Sequence, residues 1–192
     1  MRTDRRRRKS QAAIQNAFLN LLGEETFETL TVQKIVDTAD ISRMTFYAYY
    51  VDKLDLLDQM ENDSINQIQD FISQQYQTED RKPADMIHTL MSYLVHHVGD
   101  NMSFYHTMFQ IGSASMLQEK LYQLLYNHLS NYTDRDGTIG DFPFSYFMSY
   151  VAGAGISLIR HWILDDDRIS EDALIHHFLL IITEGPASYL EK

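Results

Sequence analysis

Residues 31–53, TVQKIVDTADISRMTFYAYYVDK, hold two short amphipathic segments separated by about three residues, the spacing of a helix-turn-helix. Thr31 is placed to cap the first segment, in which Val32, Ile35, Val36 and Ala39 recur at helical spacing. The break falls at Asp40-Ile41-Ser42, and Ser42 is placed to cap a second helix beginning at Arg43. Phe46, Tyr47 and Tyr50 give that helix an apolar edge, with Arg43, Thr45 and Tyr49 mostly off it. Two small packed helices with no further task would show the same spacing. The setting separates the two readings. The second helix carries Arg, Thr and Tyr, follows an arginine-rich segment and precedes Lys53, a combination that can grip a duplex.

On the N-terminal side, Met1 to Lys9 holds Arg2 and the run Arg5, Arg6, Arg7, Arg8 and Lys9 with almost no apolar content. Such a segment is expected to be a mobile arm until an anion binds it. An isolated basic run is usually a solvated tail; next to a helix-turn-helix, contact with phosphates or the minor groove is the favoured reading. Ser10 to Leu22 is predicted as a helix with the stripe Ile14, Ala17, Phe18, Leu21 and Leu22, ended by Gly23. Phe27 and Leu30 are expected to close a small core against Val36 and Phe46.

At these residues the sequence resembles a known family. Residues 30–57, LTVQKIVDTADISRMTFYAYYVDKLDLL, are similar to the DNA-binding domain of TetR-family bacterial transcriptional regulators. The matching positions are the capping Thr31, the turn Ala39-Asp40-Ile41, then Tyr47, Tyr50, Lys53 and the pair Leu56-Leu57. Asp40 stands where the family has a turn glycine; Asp enters left-handed backbone more readily than most residues, so the turn is expected to form. Tyr49 stands where the family often has histidine. The resemblance implies an all-α chain: a three-helix helix-turn-helix domain at residues 1–55, joined by a long helix to an effector-binding and dimerising domain at residues 56–192. It implies a ligand-responsive regulator, most often a repressor, bound as a homodimer to a pseudo-palindromic double-stranded operator. Arg43, Met44, Thr45 and Tyr47 are then the groove-facing candidates, with Tyr49 beside them, and Thr31 and Lys53 the phosphate anchors. Arg5, Arg6, Arg7 and Arg8 extend the same surface.

Composition sets outer bounds on this reading. A chain of 192 residues, 44% hydrophobic, holds one large or two modest domains. Only three prolines and eight glycines favour helix throughout. The absence of cysteine excludes a disulfide scaffold and a thiol nucleophile. No apolar run is long enough to cross a bilayer, and the basic start running into an amphipathic helix is not a secretory signal; a cytoplasmic location is expected. A net charge of −11 sits oddly with DNA binding until it is resolved along the chain. Residues 1–60 hold nine basic and nine acidic side chains, whereas residues 61–192 hold seven and eighteen. The acidic excess thus lies away from the motif, where it keeps the rest of the chain off phosphate.

From Asp52 a long helix is predicted to about Tyr76, through Leu56, Leu57, Met60, Ile65, Ile68, Phe71 and Ile72. A polar break follows at Thr78 to Pro83. Helices are then expected at 84–98, 102–110 and 115–132, with a turn-rich loop, TDRDGTIGD, at 133–141. The last two helices, 144–164 and 170–190, are apolar over more than one face and joined by Asp165-Asp166-Asp167. A helix apolar nearly all round is buried on several sides, and Ala152-Gly153-Ala154-Gly155 permits close approach of a neighbour. Two such hairpins, one per subunit, would form a four-helix interface through Phe147, Tyr150, Leu158, Phe178 and Ile182. TetR-like regulators dimerise through a hairpin similar in position, and Ile159 to Leu164 resembles the subgroup that regulates dihydroxyacetone-kinase operons.

Eight histidines raise the question of catalysis. The tightest clusters are His96-His97 and His176-His177, but neighbours on a helix point about 100° apart and do not ligate one ion as an i, i+4 pair does. There is no HExxH, P-loop or GxGxxG, and no catalytic residue, metal site or cofactor is expected. Met91, Tyr105, Met108, Phe109, Tyr122 and Tyr126 supply the flexible sulfur and polar-tipped rings that line pockets for small organic effectors; ordinary core packing uses the same residues. Two competing functions are a helical adaptor whose acidic domain binds a partner protein, with DNA binding weak or vestigial, and a metal-dependent hydrolase. Sequence-selective DNA retention separates the first, and stoichiometric metal the second.

Overall fold

A computed structural model describes residues 2–75 and 83–190. The helices are α1 (Arg2–Leu22), α2 (Val32–Thr38), α3 (Arg43–Tyr47), α4 (Lys53–Gln75), α5 (Pro83–Asp100), α6 (Met102–Gln110), α7 (Leu117–Leu129), α8 (Phe144–Leu164) and α9 (Glu171–Glu184). The all-α class expected from the sequence holds. One small departure is a hairpin at the end of the loop expected at 133–141, where β1 (Thr138–Ile139) pairs antiparallel with β2 (Phe142–Pro143). Gly140 and Asp141 both take positive φ, 54° and 65°, the pair of left-handed residues that a tight two-residue hairpin turn requires. The expected helix end at Tyr76 and the break at 78–82 fall outside the described residues; Pro83 opens α5, where its missing N–H costs nothing. Among the described residues no helix is long and apolar enough to cross a membrane.

The chain packs as two compact units, one from residues 1–64 with 106–117, the other from 65–105 with 118–192. In the first, Ile14, Phe18, Leu30, Ile35, Phe46 and Leu56 are fully buried. Phe27 meets Phe18 edge-on with ring centres 6.3 Å apart. Helix α1 differs from expectation. It begins at Arg2, so Arg5 to Lys9 occupy helical turns and are not a free arm. Arg and Lys are good helix formers, and no Gly or Pro between Arg2 and Ser10 stops the helix from propagating backward. Helix α4 starts as expected, with Asp52 Oδ1 accepting from the N–H groups of Leu54 and Asp55, both at 2.8 Å.

The first unit also buries a carboxylate. Glu61 of α4 is 1% exposed, and accepts from Ser115 Oγ at 2.7 Å and from the Met116 N–H at 3.0 Å. Residues 106–117 are thereby tied to the helix that follows the helix-turn-helix.

The second unit has two apolar clusters. Ile68 and Ile72 of α4, Met91 and Leu94 of α5, and Phe178 of α9 form one, flanked by Leu121, Leu124, Leu158 and Ile159. Phe144, Met148 and Ala152 of α8 form the other, with Tyr122, Tyr126 and Phe147 against it. The α8–α9 turn is held by Trp162, whose indole N–H donates to the Ile169 carbonyl at 2.7 Å, and by Ser170, which caps α9.

Candidate nucleic-acid interface

The helix-turn-helix is built by caps at both ends of a short turn. Thr31 Oγ1 accepts from the Lys34 N–H at 3.3 Å and starts α2. At the other end Asp40 has φ 51°; its N–H reaches the Asp37 carbonyl at 3.3 Å and the next N–H, of Ile41, reaches back to Val36 at 3.1 Å. These are the two bonds of a Schellman closure. Asp40 therefore does what a glycine would do there, as the sequence suggested. Ser42 then starts α3, its Oγ accepting from the Thr45 N–H at 3.0 Å and lying 2.8 Å from Thr45 Oγ1.

Helix α3 is anchored by Phe46, which is fully buried. Its ring centre lies 5.5 Å from that of Tyr47 and 5.6 Å from that of Tyr50. Tyr50 is buried with it, and burial pushes its phenol above the usual range. The expected apolar edge keeps Phe46 and Tyr50 but loses Tyr47, which is half exposed. The reason is angular: residues 46 and 50 lie one turn apart, whereas 47 is turned about 100° from 46. Arg43 and Met44 are exposed, Met44 at 83%. Among the described residues neither the Arg43 guanidinium nor the Tyr47 hydroxyl has a hydrogen-bond partner. Thr45 and Tyr49 are partly exposed. The guanidinium carbon of Arg7 lies 5.7 Å from the centre of the Tyr49 ring, within cation–π range.

Lys53 has partners inside the protein that the sequence does not reveal. Its ammonium donates to the carbonyls of Phe27 at 2.6 Å, Leu30 at 2.7 Å and Glu28 at 3.2 Å, and sits 4.7 Å from the centre of the Phe27 ring. All three of its N–H bonds have acceptors inside the protein. They stitch the α1–α2 loop to the start of α4. The other side of that loop is held by Lys34, 2.7 Å from Glu25; the hydrogen bonds from Lys34 and Thr29 lower the Glu25 carboxyl below its ordinary value. A basic residue after the recognition helix signals phosphate equally well, so nothing local in the sequence distinguishes this stitch from a free anchor.

The effector candidates lie on α5, α6 and α7. Met91 belongs to the Ile68–Phe178 cluster, and Tyr122 and Tyr126 pack against Phe144 and Met148. Tyr105, Met108 and Phe109 are buried on α6. The interface candidates divide. Tyr150 is 62% exposed and Ile182 38%, whereas Phe178 is 5% exposed inside the core of the second unit. Leu158 packs on that same core and Phe147 on the neighbouring cluster. A helix apolar on several sides buries one side internally, and sequence periodicity does not say which. Gly155 shows the inward side, since a Cβ there would lie 3.5 Å from the Phe178 ring, while one on Gly153 would meet nothing within 4 Å.

Among the histidines, His97 is buried between Tyr93 and Tyr105, and desolvation depresses its basicity. His96 is exposed, its Nε2 3.9 Å from Glu171. Among the described residues no group of three His, Cys, Asp or Glu side chains is placed to hold a metal ion.

Two capped helices at a Schellman turn, an exposed arginine opening the second, and a predominantly helical unit beyond them define a helix-turn-helix transcription regulator. The family description "Bacterial regulatory proteins, tetR family" matches residues 14–60, and "Transcriptional regulator C-terminal region" matches residues 85–184. The chain belongs to the TetR family of bacterial transcriptional regulators. Among solved structures it is similar to a TetR-family regulator from Syntrophomonas wolfei, with TM-score 0.74 and 18% identity over 90% of this chain and 92% of the other. It is also similar to FadR from Bacillus subtilis solved with stearoyl-CoA, at 0.72 and 18% over 91% and 98%. A third is the dihydroxyacetone kinase operon activator DhaS, at 0.58 and 21% over 91% and 96%. No curated protein matches the chain by sequence.

Proposed function

We propose that the protein is a ligand-responsive repressor that binds a pseudo-palindromic operator as a homodimer. The observation that carries this reading is Arg43, exposed in the first turn of a recognition helix whose other side is fixed by Phe46 and Tyr50. A guanidinium there suits the two acceptors on the major-groove edge of guanine. Met44, Thr45 and Tyr47 share the groove-facing side. Thr31 is exposed, and its cap uses the hydroxyl oxygen as acceptor, which leaves the O–H to donate to a phosphate.

The exposed positions of the last hairpin, Tyr150 and Ile182, with open space at Gly153, are the surface of α8 and α9 assigned to the partner subunit. An effector bound by the second unit acts through α4, whose residues 53–64 and 65–75 fall in different units; a coupling of about 1–3 kcal/mol suffices. Two of the similar FadR proteins were solved with stearoyl-CoA and lauroyl-CoA, so long-chain acyl-CoAs are the first effectors to test.

Arg43→Ala is expected to cost about 1–3 kcal/mol on the preferred operator and to relax selectivity at one base position. Its fold is expected to hold, because the side chain is exposed and belongs to no apolar cluster among the described residues. Binding titrations on single-base operator variants check this. An equal loss on every sequence would make Arg43 a phosphate contact and move base reading to Met44, Thr45 or Tyr47.

A further inference from the structure

We infer that Tyr49 is a positioning residue whose ring docks the basic first turns of α1 and so directs Arg5, Arg6 and Lys9 to the phosphates flanking the site read by α3. The inference rests on the DNA-binding function proposed above. Arg7, Gln11 and Gln15 recur every four residues and share one face of α1. Gln15 Nε2 donates to the Tyr50 hydroxyl at 3.4 Å, and Arg7 lies over the Tyr49 ring. Two positions on that face of α1, two turns apart, thus meet the adjacent tyrosines that follow the recognition helix.

The Tyr49 ring is itself braced. It lies 6.3 Å from the Tyr50 ring, and the Tyr49 carbonyl accepts from Gln59 Nε2 of α4 at 3.4 Å. Arg5, Arg6 and Lys9 are exposed on α1. Arg5 and Lys9 are like charges at i, i+4, and positive charge near a helix N-terminus opposes the macrodipole. An external hold offsets this repulsion, and the aromatic face supplies one at Arg7. The extension is thereby a fixed basic ridge beside α3, aimed by Tyr49, which need not touch DNA itself.

Salt-dependent binding to a random-sequence duplex of roughly 30 base pairs tests this, because phosphate contacts need no operator and each adds about 0.9 to the log–log slope. Tyr49→Ala is expected to flatten the slope by at least one contact, Tyr49→Phe to keep the wild-type slope, and Tyr49→Ala to add nothing once Arg5, Arg6 and Lys9 are alanine. A wild-type slope in Tyr49→Ala would overturn the inference, and so would an equal loss in Tyr49→Phe, which would make the hydroxyl a direct phosphate contact. If the unaltered protein bound no duplex, the failure would be that of the DNA-binding function, and this inference would fall with it.

Discussion

Phe178→Ala is expected to lower the unfolding free energy by about 3–5 kcal/mol, the cost of emptying a large buried aromatic site. Phe178 is enclosed by Ile68, Ile72, Met91 and Leu94, and its ring also faces Gly155 of α8. Helices α4, α5 and α9 share that cluster, so the loss spreads through the second unit. Tyr150→Glu should behave oppositely: an exposed side chain leaves the protomer's core intact, while a charge on the proposed contact surface weakens self-association. Urea unfolding and light scattering, run on both variants, separate the two roles. A Phe178→Ala protein with native stability and lost dimerisation would return Phe178 to the interface.

Lys53→Met is expected to cost about 2–3 kcal/mol in urea unfolding of the first unit, because hydrogen bonds to a charged donor contribute about 1.5–3 kcal/mol and their loss strands acceptors. The Phe27 and Leu30 carbonyls are the acceptors most enclosed; Glu28 keeps access to water. Methionine preserves the apolar stem, so the change reports the ammonium alone. Lys53→Arg separates a stitch from a phosphate anchor. A planar guanidinium cannot point three N–H groups at three converging carbonyls, whereas it binds phosphate at least as well. Stability should therefore fall in Lys53→Arg as well. Retained stability with weakened DNA binding in Lys53→Met would restore the phosphate role.

How far the sequence discloses this molecule depends on whether a signal is local. Thr31, Ser42 and Asp52 cap helices as expected, because a cap joins a side chain to an N–H two or three residues on. Asp40 turns the chain because its left-handed backbone is a property of one residue. Long-range assignments fared differently. Lys53 reaches back 23 to 26 residues to its carbonyls, and Glu61 reaches forward 54 and 55 to Ser115 and Met116. Glu61 did leave a trace: it sits between Leu57 and Ile68 on the apolar stripe of α4, where a carboxylate needs buried donors. No trace of that kind marked Lys53. Phe178 and Tyr150 both read as interface because a helix with two apolar sides does not reveal which side its own protomer covers.

The proposed function requires sequence-selective recognition by a symmetric pair of α3 helices. The most direct test is selection of bound fragments from a random-sequence duplex library at near-physiological salt by the full-length protein. One enriched motif is expected, with two inverted half-sites whose centres lie about 34 Å apart, one helical turn, or a multiple of it, and loss of enrichment at one base per half-site in Arg43→Ala. Retention of all sequences alike, or an enriched site with a single half, would contradict it.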